Sequence, residues 1–274
     1  RSLVMGIGSA GGSSGQLILV PVGQWLINEQ GWIMSLILLA VMVAVIVPLT
    51  ASLAGGNERA DDDHSEQNFL DAMREAGSHG GYRLLIFGYF VCGFQTMFIG
   101  AHLPAYLSDL GQSDWIGATA LSLIGGFNII GCILWGLAGD RTSKKMLLAS
   151  LYSLRALVML GFILLPMNIL TVVVLSAAMG MLWLGTVPLT TGLVVQIFGT
   201  QYMATLVGFT FLGHQIGSFL GIWLGGWVFD TTGSYDLIFW GGIILGLLAT
   251  LAHFPINDKP VARLAEEALR ASKI

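Results

Sequence analysis

Charge is scarce in this sequence. Only 10% of its 274 residues are Asp, Glu, Lys or Arg, whereas 55% are apolar, and the mean hydropathy is +0.78. That balance excludes an ordinary water-soluble domain and makes a lipid bilayer the natural solvent. Cysteine is nearly absent as well. Cys92 and Cys132 each lie inside an apolar run, which excludes a disulfide framework and a zinc site of paired ligand spacing. A net charge of −4, with twelve scattered Lys and Arg residues, offers no basic stripe for nucleic acid. Asp and Glu are missing from the interior of every long apolar run, so the clustered acids, metal set or nucleophile and base of a membrane-embedded enzyme are not expected. No cofactor or metal is implied. Gly6-x-Gly8-x-x-Gly11 has the spacing of a dinucleotide fingerprint, yet it opens an apolar run instead of following a strand. The chain starts at Arg1 without an initiator Met or a leader-like segment, and reads as cut at its N-terminus.

What the sequence does contain is a succession of apolar runs. A helix that crosses a bilayer needs about 20 mostly apolar residues. Runs at 3–27, 33–54, 83–107, 115–138, 146–165, 169–198, 203–229 and 236–256 predict an all-α integral membrane protein of about eight spans. Arg1, Arg59, Arg74, Arg83, Arg141, Lys144, Lys145, Lys259, Arg263, Arg270 and Lys273 all fall at one set of alternating connections. Because cytoplasmic loops retain Lys and Arg, that face is expected in the cytoplasm, with both ends of the chain on it and the protein in the inner membrane. The polar stretch 56–82 is expected as a cytoplasmic linker between residues 1–55 and a six-helix bundle at 83–256, with a cytoplasmic tail at 257–274. Phe69, Leu70 and Met73 share one face of a short helix within that linker; it either lies on the membrane surface or forms part of a solvated hinge.

The first and seventh runs resemble each other at a constant offset. Gly6 aligns with Gly208, Gly11 with Gly213, Gly15 with Gly217, Gly23 with Gly225, Trp25 with Trp227 and Gly31 with Gly233. The two runs enter from the same side six helices apart, the pattern of a transporter built from two parallel six-helix halves. Small residues at every fourth position let helix backbones approach closely in lipid. Gly213, Gly217, Gly221 and Gly225 form such a stripe, and Gly11 with Gly15 a shorter one.

At 1.5 Å rise per residue, Gln16, Asn128, Arg155, Trp183 and His214 fall near the bilayer centre on five different spans. A charge there is costly and needs a partner or a purpose. Arg155 is the lone intramembrane cation, and its planar fork suits either a substrate carboxylate or backbone carbonyls. His214, and His102 near the opposite mouth, are the groups able to carry a proton near neutral pH; hydrogen-bonded packing is the competing role. Trp183, Thr186, Pro188 and Thr190 share one span, where Pro188 can bend the helix and threonines can satisfy freed carbonyls.

The fourth run ends in Gly136-Leu-Ala-Gly-Asp140-Arg141-Thr-Ser-Lys144-Lys145, which resembles the loop signature G-x-x-x-D-R-x-G-(R/K)-(R/K) of the major facilitator superfamily, with Ser143 in place of the usual glycine. With the repeat, the resemblance implies a partial fold of that family, helices five to twelve. Gly15-Gln16 with Pro21, Gly31-Trp32, His102-Leu-Pro-Ala-Tyr106, Leu154-Arg155-Ala156, Trp183-Leu-Gly-Thr-Val-Pro188 and His214-Gln215-x-Gly217 resemble bacterial monocarboxylate porters and oxalate/formate antiporters. The resemblance implies a secondary transporter of a small organic anion by symport or antiport, with protons as a possible second partner. Arg155, His214, Asn128, Gln16, Trp183 and Thr186 are then the candidate substrate contacts. Asp140, Arg141, Lys144 and Lys145 form a cytoplasmic latch or a topology anchor. A non-anionic solute, or a receptor or scaffold without transport, are the alternatives.

Overall fold

The computed structural model describes residues 2–46, 48 and 68–271. Its described elements are helical: α1 (Ser2–Ala44), α2 (Phe69–Ser78), α3 (Gly80–Asp109), α4 (Asp114–Arg141), α5 (Lys144–Leu164), α6 (Ile169–Leu182), α7 (Thr186–Phe198), α8 (Met203–Thr232), α9 (Asp236–His253) and α10 (Ala262–Ala271). Seven helical stretches among the described residues are long and apolar enough to cross a membrane, with α1 counted once and α6 with α7 counted together. α1 exceeds one span: its 43 residues would extend about 64 Å at 1.5 Å each. Gly31, with φ 76 and ψ 164, breaks it where the sequence places the loop between the first two runs. Only glycine enters that backbone region without strain. The second run, 33–54, is described to residue 46 and at residue 48, and its remainder lies outside the described residues, as does most of the 56–82 stretch.

Two tight helix pairs organise the bundle. α3 and α8 run side by side at a constant offset, Ile86 against Gly213, Phe90 against Gly217 and Phe94 against Gly221, with His102 and Phe98 over Gly225. A Cβ at Gly225 would stand 2.7 Å from the His102 ring, and one at Gly217 would overlap the Phe90 carbonyl oxygen. The second pair, α1 and α4, is antiparallel. The Leu3 amide donates to Asp140 at 3.2 Å, a Cβ at Gly6 would approach the Cys132 carbonyl oxygen to 2.5 Å, and one at Gly125 would meet the Leu17 nitrogen at 2.8 Å. The stripe at Gly11 and Gly15 faces none of the described helices: a Cβ at either glycine meets nothing within 4 Å among the described residues. On α1 the face turned to α4 carries Gly6, Ala10, Ser13 and Leu17, one or two helical positions away from those glycines.

The interior is apolar and aromatic. Tyr89, Phe98, Tyr152, Phe162 and Phe239 are all fully enclosed, and α5 closes against α9 through Ala156 at Gly246 and Met159 at Gly242. At the basic end, α2 buries Ala72 and Ala76, leaving Phe69 and Leu70 about half exposed.

Candidate functional site

The run predicted as one span at 169–198 is two helices. α6 ends at Leu182, α7 begins at Thr186, and Trp183, Leu184 and Gly185 form a non-helical junction. Pro188 explains its position. Lacking an N–H, proline cannot bond the carbonyl four residues back, and its ring crowds that carbonyl, which belongs to Leu184. The proline itself stands in the first turn of α7, where the missing donor costs nothing. The expected bend therefore falls upstream of Pro188.

An interrupted helix inside a membrane protein frees backbone groups that lipid cannot satisfy. Here side chains from two other helices supply the partners. Arg155 on α5 donates from one Nη to the Leu182 carbonyl at 2.6 Å and to the Trp183 carbonyl at 2.9 Å. Its other Nη lies 3.4 Å from Gln95 Oε1, and Gln95 Nε2 donates to the Gly242 carbonyl at 2.8 Å. From the opposite side Asn128 Oδ1 on α4 accepts the Leu184 amide at 2.9 Å, and Trp135 Nε1 donates to the Met181 carbonyl at 2.9 Å. Close backbone approaches at Gly131 and Gly180 bring α4 and α6 near enough for these bonds.

Two of the candidate substrate contacts lie at this junction. Arg155 and Asn128 are both 0% exposed: one Arg155 Nη and Asn128 Oδ1 bond the junction backbone, while the other Arg155 Nη faces Gln95 and Asn128 Nδ2 faces Ser13 of α1. Of the two roles the sequence leaves open for Arg155, the structure favours the grip on backbone carbonyls. Trp183 and Thr186 belong to the same junction. Trp183 is 4% exposed, and Thr186 Oγ1 lies 3.2 Å from Cys92 Sγ on α3. His214 lies close by on α8, tilted against Tyr89 at 5.3 Å and within 3.2 Å of Ser218 Oγ. Gln16 stands apart, donating to the Leu121 carbonyl at 3.2 Å. His102 is further along α3, where its Nε2 lies 2.9 Å from the Ile222 carbonyl and its ring covers Gly225. Both histidines thus help join α3 to α8.

A cavity of about 570 Å³ opens at the basic end, bounded by Val4 and Met5 of α1, Thr191, Val195 and Gln196 of α7, and Asp140 and Lys144 at the α4–α5 connection. That volume suits a small ligand. α7 therefore begins at the junction and forms a cavity wall with its second half, from Thr191 to Gln196. The loop signature is divided between two tasks. Asp140 takes the Leu3 amide at the start of α1, where a carboxylate complements the positive end of the helix dipole. Lys144 donates to Gln196 Oε1 at 3.0 Å, and Lys145 donates to the Ile256 carbonyl at 2.7 Å and pairs with Asp258 at 3.5 Å. Gly136 lies beneath Gly6, and Arg141 is exposed.

Gln95, Trp135 and Ser13 escape the sequence reading. Gln95 was within reach of it, because it lies about twelve residues into its run, at the same depth as Arg155. Ser13 and Trp135 carry no such signal: serine in a membrane helix usually bonds its own backbone, and tryptophan reads as apolar.

Multiple apolar spans, an interrupted helix held at depth by buried polar side chains, and a cavity at one end define a polytopic membrane protein. The sequence model of the Major Facilitator Superfamily matches residues 1–222, and the chain belongs to that family. It is 29% identical over 278 residues to the uncharacterized MFS-type transporter YcxA of Bacillus subtilis, covering 96% of this chain and 66% of that protein. It is 26% identical to monocarboxylate transporter 13 of Rattus norvegicus, covering 93% and 60%, and 27% identical to the multidrug resistance protein MdtG of Proteus mirabilis, covering 69% and 48%. The chain spans less than two thirds of the length of these relatives.

Proposed function

We propose that this chain is part of a secondary transporter that carries a small organic anion, a mono- or dicarboxylate, by alternating access. The observation that carries the reading is the interrupted α6–α7 helix beside the cavity, in a chain similar over most of its length to monocarboxylate transporters. Such breaks in membrane helices accompany solute sites and moving elements. In this reading α1 belongs to one half and α3 to α9 form the other, the basic end faces the cytoplasm of the inner membrane, and the halves rock about the cavity. Lys144 is the cation that meets the substrate: it stands in the cavity wall, and an ammonium has three donors of which one is committed to Gln196. Arg155 supports the wall from behind.

Uptake of labelled oxalate, formate, lactate and pyruvate into proteoliposomes holding the full-length protein, with and without a proton gradient, tests the proposal. Saturable uptake of one acid, with KM raised in Lys144→Gln, is the expected result. Uptake of none of them would sink the anion reading. One observation favours a second reading, transport of an uncharged solute: the single cation at mid-depth is already engaged by carbonyls, and the similarity to a multidrug resistance protein agrees with it. Saturable uptake of a neutral compound with no response to the acids is its signature.

A further inference from the structure

The junction at 183–185 is gripped from two sides that differ in kind. Arg155, Gln95 and Trp135 stand on α5, α3 and α4, and each bonds groups within the α3 to α9 bundle. Asn128 differs from them. Its Oδ1 faces the Leu184 amide, which can only donate, so the orientation of the side-chain amide is fixed and Nδ2 must point the other way. There it donates to Ser13 Oγ of α1 at 2.6 Å, and Ser13 Oγ donates in turn to the Ser9 carbonyl at 3.2 Å. Ser13 is 3% exposed and Asn128 is fully enclosed, so no water competes for these bonds. Cys132 Sγ, at 3.3 Å, adds a second donor to Oδ1.

We infer that Asn128 is a positioning residue that couples the seating of α1 on α4 to the bend between α6 and α7. The inference rests on the transport reading for its purpose, since α1 is there the moving half's contact with this bundle, but its geometry stands alone. When α1 shifts along α4, Ser13 leaves Nδ2, that buried donor is left unpaired in a dry interior, and Asn128 can satisfy it only by turning its side-chain amide, which withdraws Oδ1 from the Leu184 N–H. The junction must then bend to find another partner. Because α7 forms the cavity wall, the bend is carried directly to the cavity.

Hydrogen exchange of the full-length protein in nanodiscs tests the coupling without reference to any solute. In Ser13→Ala, amides 184–187 are expected to exchange at least about fivefold faster, the effect of one buried hydrogen bond, while amides 149–159 of α5 keep their wild-type rates. Ser14→Ala is the control, because Ser14 Oγ bonds only the Ala10 carbonyl of its own helix; it should leave 184–187 unchanged. Equal rates at 184–187 in the two variants would overturn the inference, and so would a general rise that includes α5. A second arm measures uptake of the carried solute by the full-length protein. Asn128→Ser, which shortens the link, is expected to change the maximal rate severalfold with KM unaltered, whereas a change confined to KM would mean that Asn128 touches the solute and would overturn the positioning role. Absence of uptake in the wild type would defeat the transport reading, and the exchange result would still decide the coupling.

Discussion

Arg155 is held 2.6 Å from the carbonyl oxygen of Leu182 and shares the same nitrogen with Trp183, so the one charged side chain at mid-depth serves the backbone. An unpaired buried carbonyl costs about 1–3 kcal/mol. Arg155→Gln shortens the side chain and removes the fork, leaving two carbonyls without partners. We expect it to lower the thermal unfolding midpoint in detergent and to leave KM for the carried solute within twofold. Arg155→Lys should recover only part of the loss, because an ammonium does not reproduce the planar fork. A KM raised tenfold or more at unchanged stability would return Arg155 to the ligand role.

The glycine stripe of α8 yields a paired prediction. Gly217 faces the Phe90 carbonyl so closely that a methyl group cannot enter without parting α8 from α3, whereas Gly208 on the same helix has nothing within 4 Å. Overpacking of this kind costs about 1–3 kcal/mol. Gly217→Ala should lower the unfolding midpoint and the yield of monodisperse protein; Gly208→Ala should change neither. Matching behaviour of the two variants would show that α3 and α8 are less tightly apposed than described.

Much of this architecture was legible from the sequence, for definite reasons. Apolar run length identified the spans, since lipid leaves the backbone no alternative to the helix, and the loop signature around Asp140 pointed to the family that the sequence match establishes. Of the five residues that the depth rule selects, Asn128, Arg155, Trp183 and His214 are enclosed near the junction, and Gln16 stands apart against the Leu121 carbonyl. Their partners could not be read. Whether Arg155 meets a carbonyl or a solute depends on where α6 ends, and that follows from Pro188 acting on Leu184 together with packing against α4. The neighbour of Gly11 and Gly15 is likewise not legible, because a four-residue spacing identifies a stripe without saying which helix lies across it.

Near the basic end, His79 gives stability a pH dependence. Burial lowers its pKa below the ordinary 6.5, with nearby Glu75 acting in the opposite sense. Its Nδ1 accepts the Tyr82 amide at 3.2 Å, capping α3, and only the unprotonated nitrogen can accept. A group whose folded pKa lies below its unfolded value adds stability that is complete above the unfolded pKa and lost as pH falls toward the folded one. The unfolding midpoint of the wild type should therefore fall below about pH 6.5. In His79→Asn, whose side chain can cap without titrating, that part of the slope should vanish, with a change near ~1 kcal/mol or less at neutral pH. An identical slope in the two proteins would assign the pH dependence to other groups.

The segment after α9 forms a brace across the basic end, and Gln196 is its centre. Gln196 Oε1 accepts from Lys144 at 3.0 Å, while its Nε2 donates to the Asp258 carbonyl at 2.8 Å. Beyond it, the Val261 amide donates to the Ile197 carbonyl at 2.9 Å, and Arg263 reaches the Phe198 carbonyl at 3.4 Å and Glu75 at 3.9 Å. These donors fill carbonyl vacancies that every helix has in its last turn, so the tail adds to the cap that Gly199 makes with φ 83 and an amide donating to the Val195 carbonyl at 3.0 Å. Gln196→Ala removes both bonds at the centre and should free the tail without unfolding the bundle. Its readout is tryptic cleavage after Arg263, expected to accelerate severalfold in native-state digestion while the unfolding midpoint moves by no more than a few degrees. Lys145→Gln should act in the same direction and more weakly, because its pair with Asp258 is about a quarter exposed and such pairs contribute ~1 kcal/mol or less. Cleavage at the wild-type rate in Gln196→Ala would mean that the brace depends on the apolar seat of Ile256, which is 1% exposed, and Ile256→Ala would then be the variant that releases it.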